Sequence, residues 1–406
     1  MLAHRMSLFP ASGTAGARAA AKAATAGGRE VFDLSAGEVI CEPAGGAVAG
    51  AIAALERGEN RYTDTIGIAP LREAIARRLS SETGQVWSAD EVAVTAGAKQ
   101  GLFNAVMAVL NPGDEVLIPV PYWTTFPAQV LLAGAQPVRV GTRANGYLPR
   151  IEDLRAALTP ATRAIVINTP NNPTGAVYDR ALLGDIAEFA IQARLWVVFD
   201  ECYSSFVWEP LRHHNIVSVV PEVRSRTLVV NAFSKQLALT GWRLGYVAGP
   251  PAVIAAVKAL QGHTTSNPNV IAQHGVLAHL LQEVDTGFER GLHHRLHQAR
   301  SAGLEILAGL ERELVPTAQG GFYFYLDLAR LLAAKPRAGI IADADDVARV
   351  LLEEAGVAGV SGTAFGDPSG LRLSYGAPVE ILLPALRRVV GALNGMTRPE
   401  RIRVVA

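Results

Sequence analysis

Several short stretches of this chain hold residue types that could do chemistry together. Asp200 ends the apolar run Val197-Val-Phe-Asp200 and is followed directly by Glu201. A carboxylate at the end of a buried strand is partly desolvated and calls for a cationic partner. Two ordinary readings compete: a solvated strand-end aspartate, and the acidic end of an ATPase strand. The ATPase reading requires a Gly-x-x-x-x-Gly-Lys-Ser/Thr loop, and the sequence contains none. Gly97-Ala98-Lys99 follows an apolar run and opens a helical pattern, so its backbone N–H groups and the helix dipole suit an anion. Lys235 offers an amine, although a lone lysine is ordinarily an exposed salt-bridge partner. His293 and His297 stand four apart on an expected helix beside His294. No glutamate separates them in the His-Glu-x-x-His manner and the surroundings are rich in Arg and Gln, so no metal is expected.

These residues need elements to position them. Between about residues 90 and 250, short apolar runs alternate with helical patterns, the signature of β-α units stacked on a mostly parallel sheet. Residues 91–95, 115–119, 164–168, 195–200 and 227–231 read as strands. Ligands of such sheets gather outside the carboxyl ends of the strands, which places Thr95, Asn168, Asp200 and Asn231 on one edge. A polar helical stretch over 285–313 reads as the link to a smaller α/β unit. That unit has strands at 321–326 and 371–375 and helices at 343–355 and 378–393. The expected division is an N-terminal arm with part of the small domain (1–45), a large domain (46–285) and a small C-terminal domain (286–406).

Composition supports a globular chain. Of 406 residues, half are apolar and 18% charged, and 37 Lys plus Arg balance 37 Asp plus Glu. No excess charge advertises nucleic acid or membrane as a partner. Arg77-Arg78 and Arg387-Arg388 read as solvated helix faces. Two cysteines, Cys41 and Cys202, make no disulfide framework, which points to a reducing compartment and a cytoplasmic protein. No apolar run reaches the roughly 18 residues of a spanning helix. The first 29 residues lack acidic side chains and are rich in alanine. That composition suits a transit peptide or, as favoured here, an Ala-rich first helix.

Three motifs then occur in order: Asn168-Thr-Pro170-Asn-Asn172-Pro173-Thr174-Gly175, Phe199-Asp200-Glu201-Cys-Tyr203, and Ser234-Lys235-Gln-Leu-Ala-Leu-Thr240-Gly241-Trp242-Arg243-Leu-Gly245-Tyr246. Together they closely resemble the class I and II aminotransferases of fold type I, in the aspartate and aromatic branch. The resemblance spans residues 34–393. It implies pyridoxal 5'-phosphate as cofactor, because an amino acid's α-proton is too weakly acidic to leave without an electron sink. It further implies that Lys235 holds the cofactor as a Schiff base and, once freed by substrate, moves the proton. Asp200 would face the pyridine nitrogen, Asn172 and Tyr203 the phenolic oxygen, and Trp123 the ring. Ala98 and Lys99 through their main chains, with Ser234 and Arg243, would bind the phosphate. Tyr62 resembles the tyrosine that reaches the phosphate of a partner subunit, which implies a homodimer with shared active sites. Arg372 would grip the substrate α-carboxylate through two parallel bonds, with a backbone donor from Gly37.

The expected reaction is transfer of an amino group between an L-amino acid and a 2-oxo acid by a ping-pong route. A lyase, decarboxylase or synthase of the same fold carries the same motifs and is the alternative. A cofactor-sensing regulator would carry an added DNA-binding domain, and only about 30 residues precede the resemblance. Relatives specific for aspartate often place a lysine before a Pro-Ser near the N-terminus, whereas here Phe9 precedes Pro10-Ala11-Ser12. Val39-Ile40-Cys41 likewise replaces their Pro-Asp-Phe after Gly37-Glu38. Both departures argue against a simple dicarboxylate as the defining substrate, because a second carboxylate would be buried unpaired.

Overall fold

A computed structural model describes residues 2–8, 13–282, 287–335 and 341–397. The Phe9 to Ser12 stretch and Asp285 lie outside the described residues. The Ala-rich segment forms a helix, Gly13–Ala26, that packs on the C-terminal part of the chain. A two-residue strand follows, β1 (Phe32–Asp33).

The large sheet comprises β2 (Val92–Thr95), β3 (Glu115–Val120), β4 (Gln136–Gly141), β5 (Thr162–Asn168), β6 (Trp196–Asp200), β7 (Thr227–Ala232) and β8 (Gly245–Ala248), in the order β2-β8-β7-β6-β5-β3-β4. All neighbours are parallel except β8, which runs antiparallel to both β2 and β7. Alternation along each strand divides the core into two layers. Ile165, Ile167, Val197, Phe199 and Val229 face one layer with the helices Ala69–Thr83 and Arg180–Gln192. Val166, Val198, Leu228 and Val230 face the other with Ala98–Val109 and Pro251–Thr264.

The smaller sheet is built from β9 (Tyr323–Asp327), β11 (Val360–Ser361) and β12 (Gly370–Ser374), while β10 (Val357–Ala358) pairs with β1. Its core gathers Leu326, Leu371 and Leu373 with Leu382 and Leu386 of the helix Val379–Thr397. Tyr203, Phe206 and Trp208, from the loop after β6, also enter that core, so the two sheets share a packed boundary.

The expected strands are present, with shifts of a residue or two at their ends. Periodicity missed β4 and β8. β4 contains Pro137, which an edge strand tolerates because one of its sides carries no ladder. The helix expected over 285–313 is Phe288–Leu307, followed by a separate turn, Arg312–Leu314. Arg78 is no solvated face residue: it is half-buried and donates to Glu82 at 2.7 Å and Gln236 at 3.1 Å. His293 and His297 pack their rings on Trp208, with centroids 4.8 and 5.8 Å apart. Among the described residues, no helix is long and apolar enough to cross a membrane.

Gly245 opens β8 exactly where the first β-α turn passes. A Cβ there would lie 2.6 Å from the Ala98 amide nitrogen and 2.8 Å from the Asn231 carbonyl oxygen, both backbone atoms with little room to yield. Gly245→Ala is therefore expected to destabilise the protein by about 1 to 3 kcal/mol. An unchanged denaturant midpoint would show that the strand can shift freely.

Candidate active site

The carboxyl ends of β2, β5, β6 and β7 place Thr95, Asn168, Asp200 and Ala232 along one edge, as the parallel pattern requires. The short helix Phe233–Gln236 continues from β7 and carries Ser234, which is buried, and Lys235. The Lys235 Nζ donates to the Gly37 carbonyl oxygen. Burial lowers its pKa to about 8, although Cys202 and Glu38 nearby act in the opposite direction. A larger neutral fraction makes the amine a better nucleophile and base near neutral pH.

Asp200 is 4% exposed, and its Oδ1 accepts from the Cys202 amide at 3.0 Å. Burial raises its carboxyl pKa to about 6. Among the described residues it has no cationic side-chain partner, which is the deficit that a pyridinium nitrogen would fill.

Asn172 and Tyr203 meet in front of it. The Asn172 Nδ2 donates to the Tyr203 hydroxyl at 3.3 Å, and the Asn172 Oδ1 accepts from Arg372 Nη1 at 3.0 Å. Arg372 comes from β12 and its Nη2 donates to the Ser35 carbonyl at 2.7 Å. Its guanidinium lies over the rings of Tyr323 and Phe365, 4.5 and 5.0 Å from their centroids. Arg372 meets no carboxylate among the described residues, and its buried Nε has no hydrogen-bond partner. That leaves donor capacity for an incoming acid.

At the start of the helix Ala98–Val109, Gly97 has φ +80° and caps the helix without a side chain. Arg243, at φ 55°, turns its guanidinium back onto this point: a Cβ on Gly97 would come 2.6 Å from an Arg243 guanidinium nitrogen. The Lys99 amine stands 4.9 Å above the Trp123 ring. Burial and the neighbouring Arg243 charge push its pKa down. Two cations and a helix N-terminus converging without an acid make a cup for a dianion such as a phosphate.

The structure thus joins Asn172, Tyr203 and Arg372 through direct contacts, joins Lys235 to Gly37, two residues from Arg372's acceptor Ser35, and gathers Lys99, Trp123 and Arg243 around the start of one helix. Tyr62 is apart from both groups. It is 90% exposed at an open surface cavity of about 860 Å³ lined by Glu59, Asn267 and Pro268 among others. Sequence reasoning missed Ser35, Tyr323 and Phe365. The alternating aromatics Phe322-Tyr323-Phe324-Tyr325 were the available signal, since alternation sends Tyr323 and Tyr325 to one face.

Asp200 also leaves a stability signature. With a folded pKa of about 6 against 3.8 for an ordinary aspartate carboxyl, the folded state holds the extra proton, so stability falls as pH rises between those values. For protein stripped of cofactor, Asp200→Asn should gain on wild type by roughly 3 kcal/mol between about pH 4 and pH 7. A difference that does not change with pH would contradict an unpaired carboxylate at this place.

Comparison with known proteins identifies the family. The family model for aminotransferase class I and II matches residues 29–389. The probable aspartate/prephenate aminotransferase of Aquifex aeolicus is 38% identical over 394 residues, covering 97% of this chain and 98% of that protein. The aspartate aminotransferase of Streptomyces avermitilis is 38% identical, with 96% of each chain covered. Among solved structures, the Thermus thermophilus aspartate aminotransferase with maleate superposes with a TM-score of 0.89 at 36% identity, covering 97% of this chain and 99% of that one. With the fold, the site and these relatives in agreement, the chain belongs to the class I and II aminotransferases and is a pyridoxal-phosphate-dependent enzyme that moves amino groups between amino acids and 2-oxo acids.

Proposed function

We propose that Lys235 carries the cofactor covalently and moves the substrate proton, with Asp200 facing the ring nitrogen. Asn172 and Tyr203 face the phenolic oxygen, Trp123 covers the ring, and the Ala98 and Lys99 amides with Ser234 and Arg243 hold the phosphate. When bound, pyridoxal phosphate supplies the electron sink for the charge left on the substrate Cα. The observation that carries this reading is the shared segment 35–37. The Lys235 amine rests on the Gly37 carbonyl and the Arg372 guanidinium on the Ser35 carbonyl, two residues away. An α-carboxylate gripped by Arg372, with a Gly37 amide as second donor, thereby puts its Cα near the base.

On substrate, we infer that aspartate serves one half-reaction and a 2-oxo acid other than a simple dicarboxylate the other. Two relatives bear on this: the Streptomyces protein is named for aspartate, and the Aquifex protein for aspartate and prephenate. Phe9 stands where aspartate-specific relatives often have lysine, which argues against a simple dicarboxylate as the second partner. The assignment of domains at 1–45, 46–285 and 286–406 belongs to the same reading, as does a cytoplasmic location, supported by two free cysteines.

The test is a panel of single amino acids offered to the cofactor-loaded enzyme. Aspartate is expected to discharge the visible absorbance of the lysine-bound cofactor, and a 2-oxo acid to restore it. Lys235→Ala should lack both the visible band and turnover while retaining cofactor noncovalently, because the phosphate cup is independent of the lysine. A wild-type rate in Lys235→Ala, or an enzyme that no amino acid discharges, would overturn the reading.

The exposure of Tyr62 supports an active dimer in which the partner subunit's Tyr62 completes the phosphate site. Mixing Tyr62→Ala and Lys235→Ala proteins under subunit exchange would then rebuild one site free of both lesions, and activity should rise above that of either parent. If exchange is verified by a tag assay and activity is only the average of the parents, Tyr62 acts in its own subunit or not at all.

A further inference from the structure

We propose that Tyr323 is a positioning residue for this reaction, whose hydroxyl donates to Tyr203 and so frees the Tyr203 proton for the cofactor's phenolic oxygen. The inference rests on the placement of Asn172 and Tyr203 proposed above.

Tyr323 is fully buried on β9, opposite Ser374 of β12 and two residues before Tyr325, the register partner of Arg372. Its hydroxyl lies 2.8 Å from the Tyr203 hydroxyl, and distance alone leaves the donor open. The neighbouring groups decide it. A guanidinium can only donate, so the Asn172 Oδ1 must face Arg372 and the Asn172 Nδ2 must face Tyr203. Tyr203 therefore already accepts one bond. Its oxygen can accept a second but owns a single proton. Tyr203 is the one hydrogen-bond partner of the Tyr323 hydroxyl among the described residues. If Tyr203 donated to Tyr323, the buried Tyr323 proton would have no acceptor, which is costly. Donation by Tyr323 leaves the Tyr203 proton for the phenolic oxygen that the proposed placement brings to it, and both hydroxyls are then satisfied.

Burial raises the pKa of both phenols, so each keeps its proton. The charged and titratable groups that act on the pair are Arg372 from β12, Glu38 from the N-terminal segment and Cys202 beside Tyr203. Tyr323 also carries the Arg372 guanidinium on its ring face, 4.5 Å from the centroid. Its hydroxyl closes in on the segment that holds Lys235: a Cβ on Gly37 would lie 2.8 Å from the Tyr323 oxygen. One side chain thus contacts the carboxylate grip and the phenol partner and lies beside Gly37, the residue whose carbonyl accepts from Lys235.

Tyr323→Phe separates the hydroxyl from the ring. The readout is the pH midpoint of the cofactor's visible band, which reports the proton shared between the Lys235 nitrogen and the phenolic oxygen. Two donors on its oxygen polarise Tyr203 and strengthen it as a donor to the phenolate, which favours loss of that proton. Tyr323→Phe should raise the midpoint by about 0.4 to 1 unit, the worth of one hydrogen bond. The KM for aspartate should stay within about twofold, because the ring under Arg372 remains. In Tyr203→Phe protein, adding Tyr323→Phe should shift the midpoint no further. Should Tyr323→Phe fold poorly, replacing Tyr323 by 3-fluorotyrosine keeps the packing, makes the donor more acidic and should move the midpoint down. An unmoved midpoint in these variants, or additive shifts in the double variant, overturns the inference. A wild-type band that survives Lys235→Ala would instead overturn the placement of the cofactor.

Discussion

A guanidinium with 2% exposure and, among the described residues, no carboxylate beside it is the constraint around which this molecule is arranged. Arg372 belongs to the small sheet, yet its two terminal nitrogens donate to Asn172 from the large sheet's loop and to Ser35 from the N-terminal segment. Burying a cation costs several kcal/mol unless dipoles and counter-charges surround it. Here a carbonyl, an amide oxygen and two aromatic faces offset that cost in part, and Nε remains unsatisfied. The three parts of the chain that meet at Arg372 are thereby held in one packing, and the remaining deficit has the shape of a carboxylate.

The same incomplete compensation recurs across the site with alternating sign. Among the described residues, Asp200 is an anion without a cation, Lys235 an amine whose charge burial disfavours, and Lys99 and Arg243 are cations without an anion. A protein selected for stability alone would pair or remove such groups. On the proposed placement, each deficit is met by one end of a single molecule: ring nitrogen, aldehyde carbon and phosphate. A cofactor that satisfies all of them at once should stabilise the fold by mass action as well as supply its chemistry.

Glu38 shows how the mouth of the site is tied to the rest. Its carboxylate accepts from Thr240 at 2.9 Å and lies 3.3 Å from Arg18 of the first helix. The helix Gly13–Ala26 is thus linked both to the segment that holds Lys235 and to the turn that carries Arg243. On the opposite flank, Arg143 joins Asp327 and Asp367, which fastens the loop after β4 to the small sheet. Packing between the sheets is therefore reinforced on two sides of the same opening.

Local chemistry made much of this legible in the sequence. Apolar runs ending in polar residues located β2, β5, β6 and β7 and put Asp200 at the correct edge, because strand alternation and the ends of parallel strands are short-range properties. The three motifs supplied the family and the cofactor, since close backbone approach and charge demand particular residue types at particular spacings. β8 was not legible: it runs against its neighbours, and only the topology of the finished sheet decides where Gly245 can pass beside Ala98. Nor was the role of Tyr323, or of Ser35 and Phe365, because each acts on Arg372 or Tyr203 from a distant part of the chain. The sequence determined which groups would be charged, donating or rigid, whereas tertiary structure alone decided which of them would be left unpaired, since pairing depends on contacts made across sheets and not along the chain.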